Sequence, residues 1–417
     1  MKSRNRLKDV LNFKLADKIP LDFGGTAVTG IHIKIVEELR QYFGLEHRPV
    51  KLVEPYQMLG EIDDELLEAM HIDVVGLYGE NNMFGFPNRD WKEFSTNWGQ
   101  TILVPGQFNF SREKDGSILI YPAGDTSVPP SAKMPSSGYF FDALNRQVEI
   151  SDEKLDTKDN LEEFKILTDE DLLYWKGAMD SLEKKGKAVI ASFGGTALGD
   201  IALVPAMQLK NPKGIRDVTD WYMSLLLRRD YVHQVFEQQT EIALINLEKL
   251  FQVVGNRVDA VFLCGTDFGT QDSQFCSLDD FQELYSPYYR KINNWIHQNT
   301  EWKTFKHSCG AVVPLIDAFI DAGFDILNPV QINAKDMDPL MLKKTYGDRL
   351  VFWGGGVDTQ ITLPFGKPQE VRDQVLKNCE IFSRHGGFVF NTVHNIQANV
   401  PLENVVAMLR ALEEFNG

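Results

Sequence analysis

Short apolar runs alternate with amphipathic stretches along most of this 417-residue chain. Apolar runs of strand length indicate buried strands, and apolar positions at i, i+3 and i+4 indicate helices. The predicted strands cover residues 17–25, 72–77, 187–195, 258–269, 303–310, 324–330, 349–356 and 387–393. The predicted helices cover residues 1–12, 30–44, 61–70, 169–186, 217–255, 278–299, 311–323, 341–347, 368–386 and 400–415, the longest with a break near Arg229.

From about residue 168 the predicted strands and helices alternate regularly, with short connections. Such repeated βα units build a parallel sheet. At least six units follow one another and the strand near Leu21 adds another, so the count favours a (β/α)8 TIM barrel over an open doubly wound sheet. No Gly-x-Gly-x-x-Gly pattern opens a helix after the first strand, which removes support for a dinucleotide-binding fold. We expect one barrel domain over residues 1–417.

Residues 81–145 do not follow this alternation. They are rich in Gly, Pro and aromatic residues and contain turn pairs such as Pro105-Gly106 and Asp115-Gly116. Asp-Gly between two runs of strand residues is a strong hairpin signal. We therefore predict a β-rich insertion in the N-terminal half of the barrel domain, which serves as a lid or as an interface.

Composition narrows the classes of function. Hydrophobic residues make up 43% of the chain and charged residues 24%, as in ordinary globular proteins, and a formal charge of −16 disfavours nucleic acid as a partner. No window approaches the ~18 apolar residues of a membrane helix, and the N-terminus lacks a signal-peptide core, so we expect a cytoplasmic protein that binds no membrane. The four cysteines are too irregularly spaced for a disulfide scaffold. The oligomeric state stays open, a homo-oligomer included.

Candidate metal ligands lie at the predicted strand ends, where barrels carry their chemistry. His307 and Cys309 are two residues apart on the strand 303–310, so we expect both side chains on one face. Imidazole and thiolate suit zinc. His394 and Cys264 lie at the ends of two other strands and extend the candidate set. A hydrogen-bonded loop histidine and a small buried hydrophobe are the alternative roles for these two residues.

Other strand ends supply candidates for catalysis and binding. Asp267 lies at the end of the predicted strand that contains Cys264, and Gln271 lies just beyond it. We expect both to orient a substrate or receive a proton, with a loop cap and a surface amide as the alternatives. Gly24 and Gly25 end the first strand, and glycine pairs end two later strands as well. A tight turn explains each pair alone. Together they predict a rim at which a substrate approaches the backbone closely.

Six segments in the second half of the chain carry a family resemblance. They are Asp267-Phe-Gly-Thr-Gln271, His307-Ser-Cys-Gly310, Asn328-Pro329, Trp353-Gly-Gly-Gly-Val357, Lys367-Pro-Gln-Glu-Val371 and Val393-His-Asn-Ile-Gln397, with Val400-Pro401 and Glu403-Asn404 beyond them. In this order and spacing the chain resembles the uroporphyrinogen decarboxylase superfamily, most closely from about residue 160 and more loosely over residues 1–80. Its H-x-C segment is similar to that of the cobalamin-linked methyltransferase branch.

The resemblance implies a (β/α)8 barrel, a zinc ion and a corrinoid. It implies that His307 and Cys309 bind the zinc, while a later cysteine supplies the third ligand in these methyltransferases. At that later position this chain has His394. The third zinc ligand is therefore His394, or a different residue such as Cys264 or Asp267. No corrinoid-binding segment is evident here, so the corrinoid is expected on a partner protein. Asn328, which lies in a segment that carries the resemblance, is expected to help bind the substrate.

We therefore expect a zinc-dependent methyltransferase that moves a methyl group between a small substrate and a corrinoid protein. The substrate is a methyl ether, such as a methoxylated aromatic, or a thiol. A tetrapyrrole decarboxylase is the alternative, but such enzymes hold substrate carboxylates with an N-terminal arginine-rich signature. Here Arg4, Arg6, Arg40 and Arg48 form no such cluster. A barrel that binds a ligand without turnover is the second alternative.

Overall fold

Seven parallel strands curl into most of a barrel in the computed structural model, which describes residues 1–417. Each strand pairs with the next one along the chain, as expected for repeated βα units. The strands are Val74–Tyr78, Ala188–Ser192, Ala260–Cys264, Lys303–His307, Ile326–Asn328, Val351–Trp353 and Phe388–Val389.

The segment around Leu21 occupies the gap between the first and last of these strands. The backbone nitrogen of Asp22 donates to the carbonyl oxygen of Phe390 at 3.0 Å, and Phe390 donates to Pro20 at 2.8 Å. On the other side, Asp73 donates to Leu21 at 2.9 Å. The segment is shorter than the predicted strand 17–25, but it bonds both edges and completes the predicted (β/α)8 barrel.

Helices surround the strands at nearly all the predicted places. They are Ser3–Leu11, Ile33–Tyr42, Asp64–Ala69, Asp169–Glu183, Val218–Leu227, Arg229–Val254, Leu278–Asp280, Ser286–Asn299, Val313–Asp321, Pro339–Tyr346, Thr362–Phe365, Pro368–Phe382 and Leu402–Asn416, with a π-helical turn at Phe281–Tyr285 and short 3₁₀ turns at Pro122–Gly124, Asp152–Lys154, Thr157–Asn160 and Gly255–Arg257. The predicted break in the longest helix falls at Arg228, where φ is −133° and ψ is 44°. No helix combines the length and apolar character that a membrane span needs.

The helix Ser3–Leu11 closes one end of the barrel. Its Leu7, Val10 and Leu11 are buried in a cluster with residues that project inward from the strands. The strand members of this cluster are Val74, Ala188, Ile190, Ala260, Phe305, Ile326, Val351, Trp353 and Val389. Most of them begin their strands, so the packed floor lies at the N-terminal end and the loops after the strands form the open mouth.

Residues 81–145 form two small antiparallel sheets. Lys92–Ser95 pairs with Thr101–Val104, and a four-stranded meander contains Phe110–Arg112, Ile118–Ile120, Ala132–Met134 and Asp142–Ala143. Arg112 pairs with Ile118 across the predicted Asp115-Gly116 turn. A separate two-stranded ribbon, Leu52–Glu54 with Leu59–Gly60, precedes them. The role of the insertion stays a prediction, as do its bounds at residues 81–145 and the single domain over residues 1–417.

Candidate metal centre

His307, Cys309 and His394 meet at the mouth of the barrel. Their potential ligand atoms all lie within 4.8 Å of one another. Cys309 Sγ is 3.5 Å from His307 Nε2, and the two imidazole rings are 5.5 Å apart between centroids at an angle of 75°. The arrangement offers two nitrogens and one sulfur to a single point, which is a donor set that zinc favours.

The strand that carries His307 is shorter than predicted. It ends at His307, so Cys309 lies in the following loop and not on the strand face. The loop turns at Gly310, whose φ of +89° is in the left-handed region that favours glycine. Gly310 packs so closely on the backbone of Gly269 that no side chain fits there. Cys309 is thus held in a loop, with its backbone N–H bound by Asp267 and the turn at Gly310 after it, and not on a strand face.

Asn328 determines which nitrogen of His307 faces the mouth. Asn328 is fully buried, and its Oδ1 lies 2.6 Å from His307 Nδ1. Its Nδ2 donates to the carbonyl oxygen of Trp353 at 2.9 Å, which fixes the amide orientation. His307 therefore donates its proton from Nδ1 and leaves the Nε2 lone pair free toward Cys309. Such a partner behind the ring is the usual companion of a metal-binding histidine.

Burial keeps both imidazoles neutral. It lowers the pKa of His307 to about 4, against the opposing effect of the hydrogen bond that His307 donates to Asn328. It also lowers the pKa of His394 to about 4, with a smaller contribution from His307. Burial and the nearby Asp267 carboxylate raise the pKa of the Cys309 thiol well above its usual range. Neutral imidazoles are the form that binds a metal, and a divalent cation is what would stabilise the thiolate here.

Asp267 lies beside this group. Its Oδ1 accepts the Cys309 backbone N–H at 2.7 Å and lies 3.8 Å from His307 Nε2. The carboxylate thus holds the loop that carries the thiol and remains partly exposed at the mouth. A ligand or substrate that reaches Cys309 and His307 also reaches Asp267.

Cys264 lies outside the group, contrary to the expectation that it extends the ligand set. Its thiol is 2.6 Å from the hydroxyl of Tyr289, and Lys306 Nζ lies 3.3 Å from Cys264 Sγ. The pairing with the neighbouring strand is irregular between Phe262 and Cys264, so Cys264 pairs with Lys306. This irregularity turns the thiol away from the barrel interior.

The other predicted residues line the rim or support it. Gln271 accepts a hydrogen bond from Gln331 and donates to the carbonyl of Asn333, so both ends of its amide bind neighbouring loops. Gln331 in turn accepts the Gly310 N–H at 2.7 Å. Both polar side-chain atoms of Asn328 are also bound within the protein, where they support His307, and a substrate role for Asn328 stays a prediction. The substrate roles of Gln271 and Asp267 stay predictions.

Gly24 and Gly25 form the turn after the segment around Leu21. The Gly25 N–H donates to Asp22 Oδ1 at 2.8 Å, and the Gly24 carbonyl accepts the Tyr78 hydroxyl at 2.8 Å. A Cβ at position 25 would lie 2.6 Å from the Asp22 carboxylate oxygen. Packing around Asp22 thus explains glycine at position 25, and a substrate role for the pair stays a prediction.

Two buried side chains that are not among the predicted site residues, Asp22 and Trp353, connect the packed floor to the rim. Trp353 Nε1 donates to Asp22 Oδ2 at 2.9 Å, and the Trp353 carbonyl accepts from Asn328, which binds His307. Burial raises the pKa of Asp22 to about 6. Asp22 comes directly before the glycine turn, and a carboxylate at a strand end is a signal that a search of all strand ends would find.

Comparisons with known proteins agree with this fold. A solved methyltransferase from Methanosarcina mazei has a TM-score of 0.54 at 14% identity, with all of both chains covered. A uroporphyrinogen decarboxylase from Methylococcus capsulatus is 29% identical over 101 residues, which is 24% of this chain and 27% of that protein. The chain thus spans about a quarter of that relative. Residues 149–415 match the family model described as uroporphyrinogen decarboxylase (URO-D). The chain therefore belongs to the uroporphyrinogen decarboxylase family.

Proposed function

We propose that this protein is a zinc-dependent methyltransferase that moves a methyl group between a small substrate and a corrinoid carried by a partner protein. The observation that carries the proposal is the convergence of His307, Cys309 and His394 at the barrel mouth. Family membership and the shared fold with a methyltransferase support an enzyme of this general kind. The partner protein and the substrate follow from the resemblance in sequence.

The residues present suit zinc. Both imidazoles are neutral, His307 is held by Asn328 with its free lone pair toward the thiol, and Asp267 lies close enough to assist. Bound zinc would supply a Lewis acid at the substrate heteroatom from which, or to which, the methyl group moves. Asp267 holds the Cys309 loop by its backbone N–H and orients the substrate beside the metal.

We infer that the substrate is a methyl donor of the ether type. A second imidazole in place of the later cysteine of the methyltransferase branch removes one negative charge from the ligand set. A less electron-rich zinc is a stronger Lewis acid, which suits a neutral ether oxygen better than a thiol. Demethylation of a methoxylated aromatic is the reaction that we expect.

Tetrapyrrole decarboxylation is the second candidate, because the matched curated relative has that name. The N-terminal arginines argue against it, since each is bound to carboxylates of this chain. Arg4 binds Asp259, Arg6 binds Asp17 and Asp73, and Arg40 and Arg48 share Asp63. None of them is left to hold the carboxylates of a porphyrinogen.

Metal analysis of the purified protein tests the proposal. We expect one zinc per chain, and we expect His307→Ala and Cys309→Ser to lose zinc and methyl transfer together. His47→Ala is the matched control, because this imidazole is 85% exposed and is not part of the candidate ligand group. Methyl transfer is measured with a methoxylated aromatic and Co(I) cobalamin, by the loss of Co(I) absorbance. A zinc-free protein with full activity in His307→Ala, or turnover of a porphyrinogen without metal or corrinoid, would contradict the proposal.

A further inference from the structure

A second carboxyl group lies at the barrel mouth beside the metal centre. Asp200 belongs to the loop after the strand Ala188–Ser192 and is only 8% exposed. Its Oδ1 accepts the Ala202 N–H at 2.9 Å, while Oδ2 has no hydrogen-bond partner in the protein. A nearly buried carboxyl with one free oxygen has hydrogen-bonding capacity that the fold itself does not use.

The free oxygen of Asp200 points to the strand end next to the metal centre. It approaches Gly265, where a Cβ would lie 2.6 Å from Oδ2, so a residue with a side chain there would displace the carboxyl. Two residues further along, Asp267 binds the Cys309 N–H and approaches His307. Glycine at position 265 therefore allows the Asp200 carboxyl to lie against the end of the strand that leads to Asp267.

The groups around Asp200 leave it ready to hold a proton. Burial, together with the charge of Asp267, raises the pKa of Asp200 to about 6, against the opposing effects of the Ala202 N–H and Lys306. Burial, with nearby charged groups that include Asp200, raises the pKa of Tyr56 and raises that of Tyr222 to about 12. The Tyr222 hydroxyl is buried without a hydrogen-bond partner.

We propose that Asp200 is the acid–base residue that exchanges a proton with the substrate heteroatom whose methyl group is transferred. The inference rests on the proposed function. Asp200 Oδ2 and the Tyr222 hydroxyl both lack a hydrogen-bond partner in the protein, so each can bind a polar atom of the substrate. Asp267 is less suited, because it holds the loop of a candidate metal ligand through the Cys309 N–H and its side chain is 29% exposed, whereas Asp200 is nearly buried.

In the demethylating direction the proton balance is simple. The bond between the ether oxygen and the methyl carbon breaks, and the oxygen keeps the electron pair. The methyl carbon forms its new bond with the electron pair of the Co(I) corrinoid, which the partner protein supplies as methyl acceptor. The carboxyl of Asp200 gives its proton to the departing oxygen, so the product leaves as an alcohol or a phenol. The Asp200 carboxylate then takes a proton from water.

The test compares Asp200→Asn and Asp200→Ala with the wild-type protein on methyl ethers of graded leaving-group acidity. We expect rates to fall by about 10²–10⁴-fold for aliphatic ethers, whose alkoxides need a proton. We expect little loss for a methyl nitrophenyl ether, whose phenolate leaves without one. The wild-type rate is expected to fall as the pH rises above about 6, and this dependence should disappear in both variants. Because Asp200 is not a zinc ligand, zinc content should stay at the wild-type value and so also reports correct folding.

Asp272→Asn is the matched control, since this exposed carboxyl lies on the same rim loop as Asp267. It should behave as wild type with every ether. If an active, zinc-loaded Asp200→Asn loses rate by the same factor with every ether, the proposed role of Asp200 is overturned and the proposed function is not. A wild-type protein that transfers no methyl group from any ether would contradict the proposed function itself, and the role of Asp200 with it.

Discussion

Asn328 orients a histidine of the candidate metal centre without contacting solvent. Its position follows from strand pairing, since His307 and Asn328 are direct partners in neighbouring parallel strands. The side-chain oxygen accepts a hydrogen bond from His307 Nδ1, and the amide nitrogen donates one to the Trp353 carbonyl oxygen. The imidazole is thus held in one tautomer before any ligand arrives, which reduces the entropy lost on metal binding.

Replacement of Asn328 by Ala should therefore weaken zinc binding. His307 would lose the acceptor that fixes its tautomer, and partners of this kind are worth roughly 10–100-fold in metal affinity. Competition with a chelating dye measures the change. Asn299→Ala, an exposed side chain that bonds only its own helix, is the control and should bind zinc as the wild type does. Unchanged affinity in Asn328→Ala would contradict this role.

At the scale of elements, His32 links a barrel helix to the β-rich insertion. Its Nδ1 accepts the Lys34 N–H at 3.2 Å and so caps the helix Ile33–Tyr42, while its Nε2 donates to the carbonyl oxygen of Tyr139 at 3.0 Å. Trp98 of the insertion packs against the same ring. Both ring nitrogens are satisfied only in the neutral form, because a proton on Nδ1 would face the Lys34 N–H.

Acid should therefore weaken this connection. Burial lowers the pKa of His32 to about 4, below the value of about 6.5 in the unfolded chain. The unfolded state binds more protons between these values, so stability falls as the pH drops from 6.5 to 4, by up to about 3 kcal/mol. His32→Asn keeps a capping oxygen without this titration. We expect urea unfolding to show a shallower loss of stability in the variant than in the wild type, and parallel pH curves would contradict the role of His32.

The alternation of strands and helices was enough to predict the barrel, because each βα unit has its own apolar pattern. The predicted strand 303–310 is too long, because the sequence does not mark His307 as the residue at which pairing with the neighbouring strands ends. Local sequence indicated His307, Cys309 and His394 by residue type and strand end. It did not indicate that Cys264 turns outward, which depends on an irregularity in pairing with a neighbouring strand. Asp200 lies in a loop, where no repeating pattern of apolar residues shows which side chains are buried. Its free carboxyl oxygen is therefore evident only in the structure.

At the scale of the whole molecule, the N-terminal helix serves as the floor of the barrel. Leu7 is fully buried among inward-facing strand residues, and Arg4 and Arg6 bind Asp259 and Asp73 at the same end. The helix therefore joins strands that are distant in sequence. Its removal would expose the apolar interior of the barrel to water.

Leu7→Ala should destabilise the protein by about 2–5 kcal/mol, since it leaves a cavity among packed strand residues. Denaturant unfolding measures this change. Leu15→Ala is the control, because Leu15 is 72% exposed and should cost little. Zinc affinity should be the same in both folded variants, because the floor and the mouth lie at opposite ends of the strands. A large loss of zinc affinity in Leu7→Ala would show that the two ends are coupled.

The closed floor has a kinetic consequence. A barrel that opens at one end only has a single route for everything that enters or leaves its centre. In the proposed reaction, a small substrate must arrive before the partner protein that accepts the methyl group covers the opening, and the demethylated product stays inside until that partner departs. Turnover should then follow a compulsory order, with excess acceptor protein acting as an inhibitor that competes with the small substrate for free enzyme.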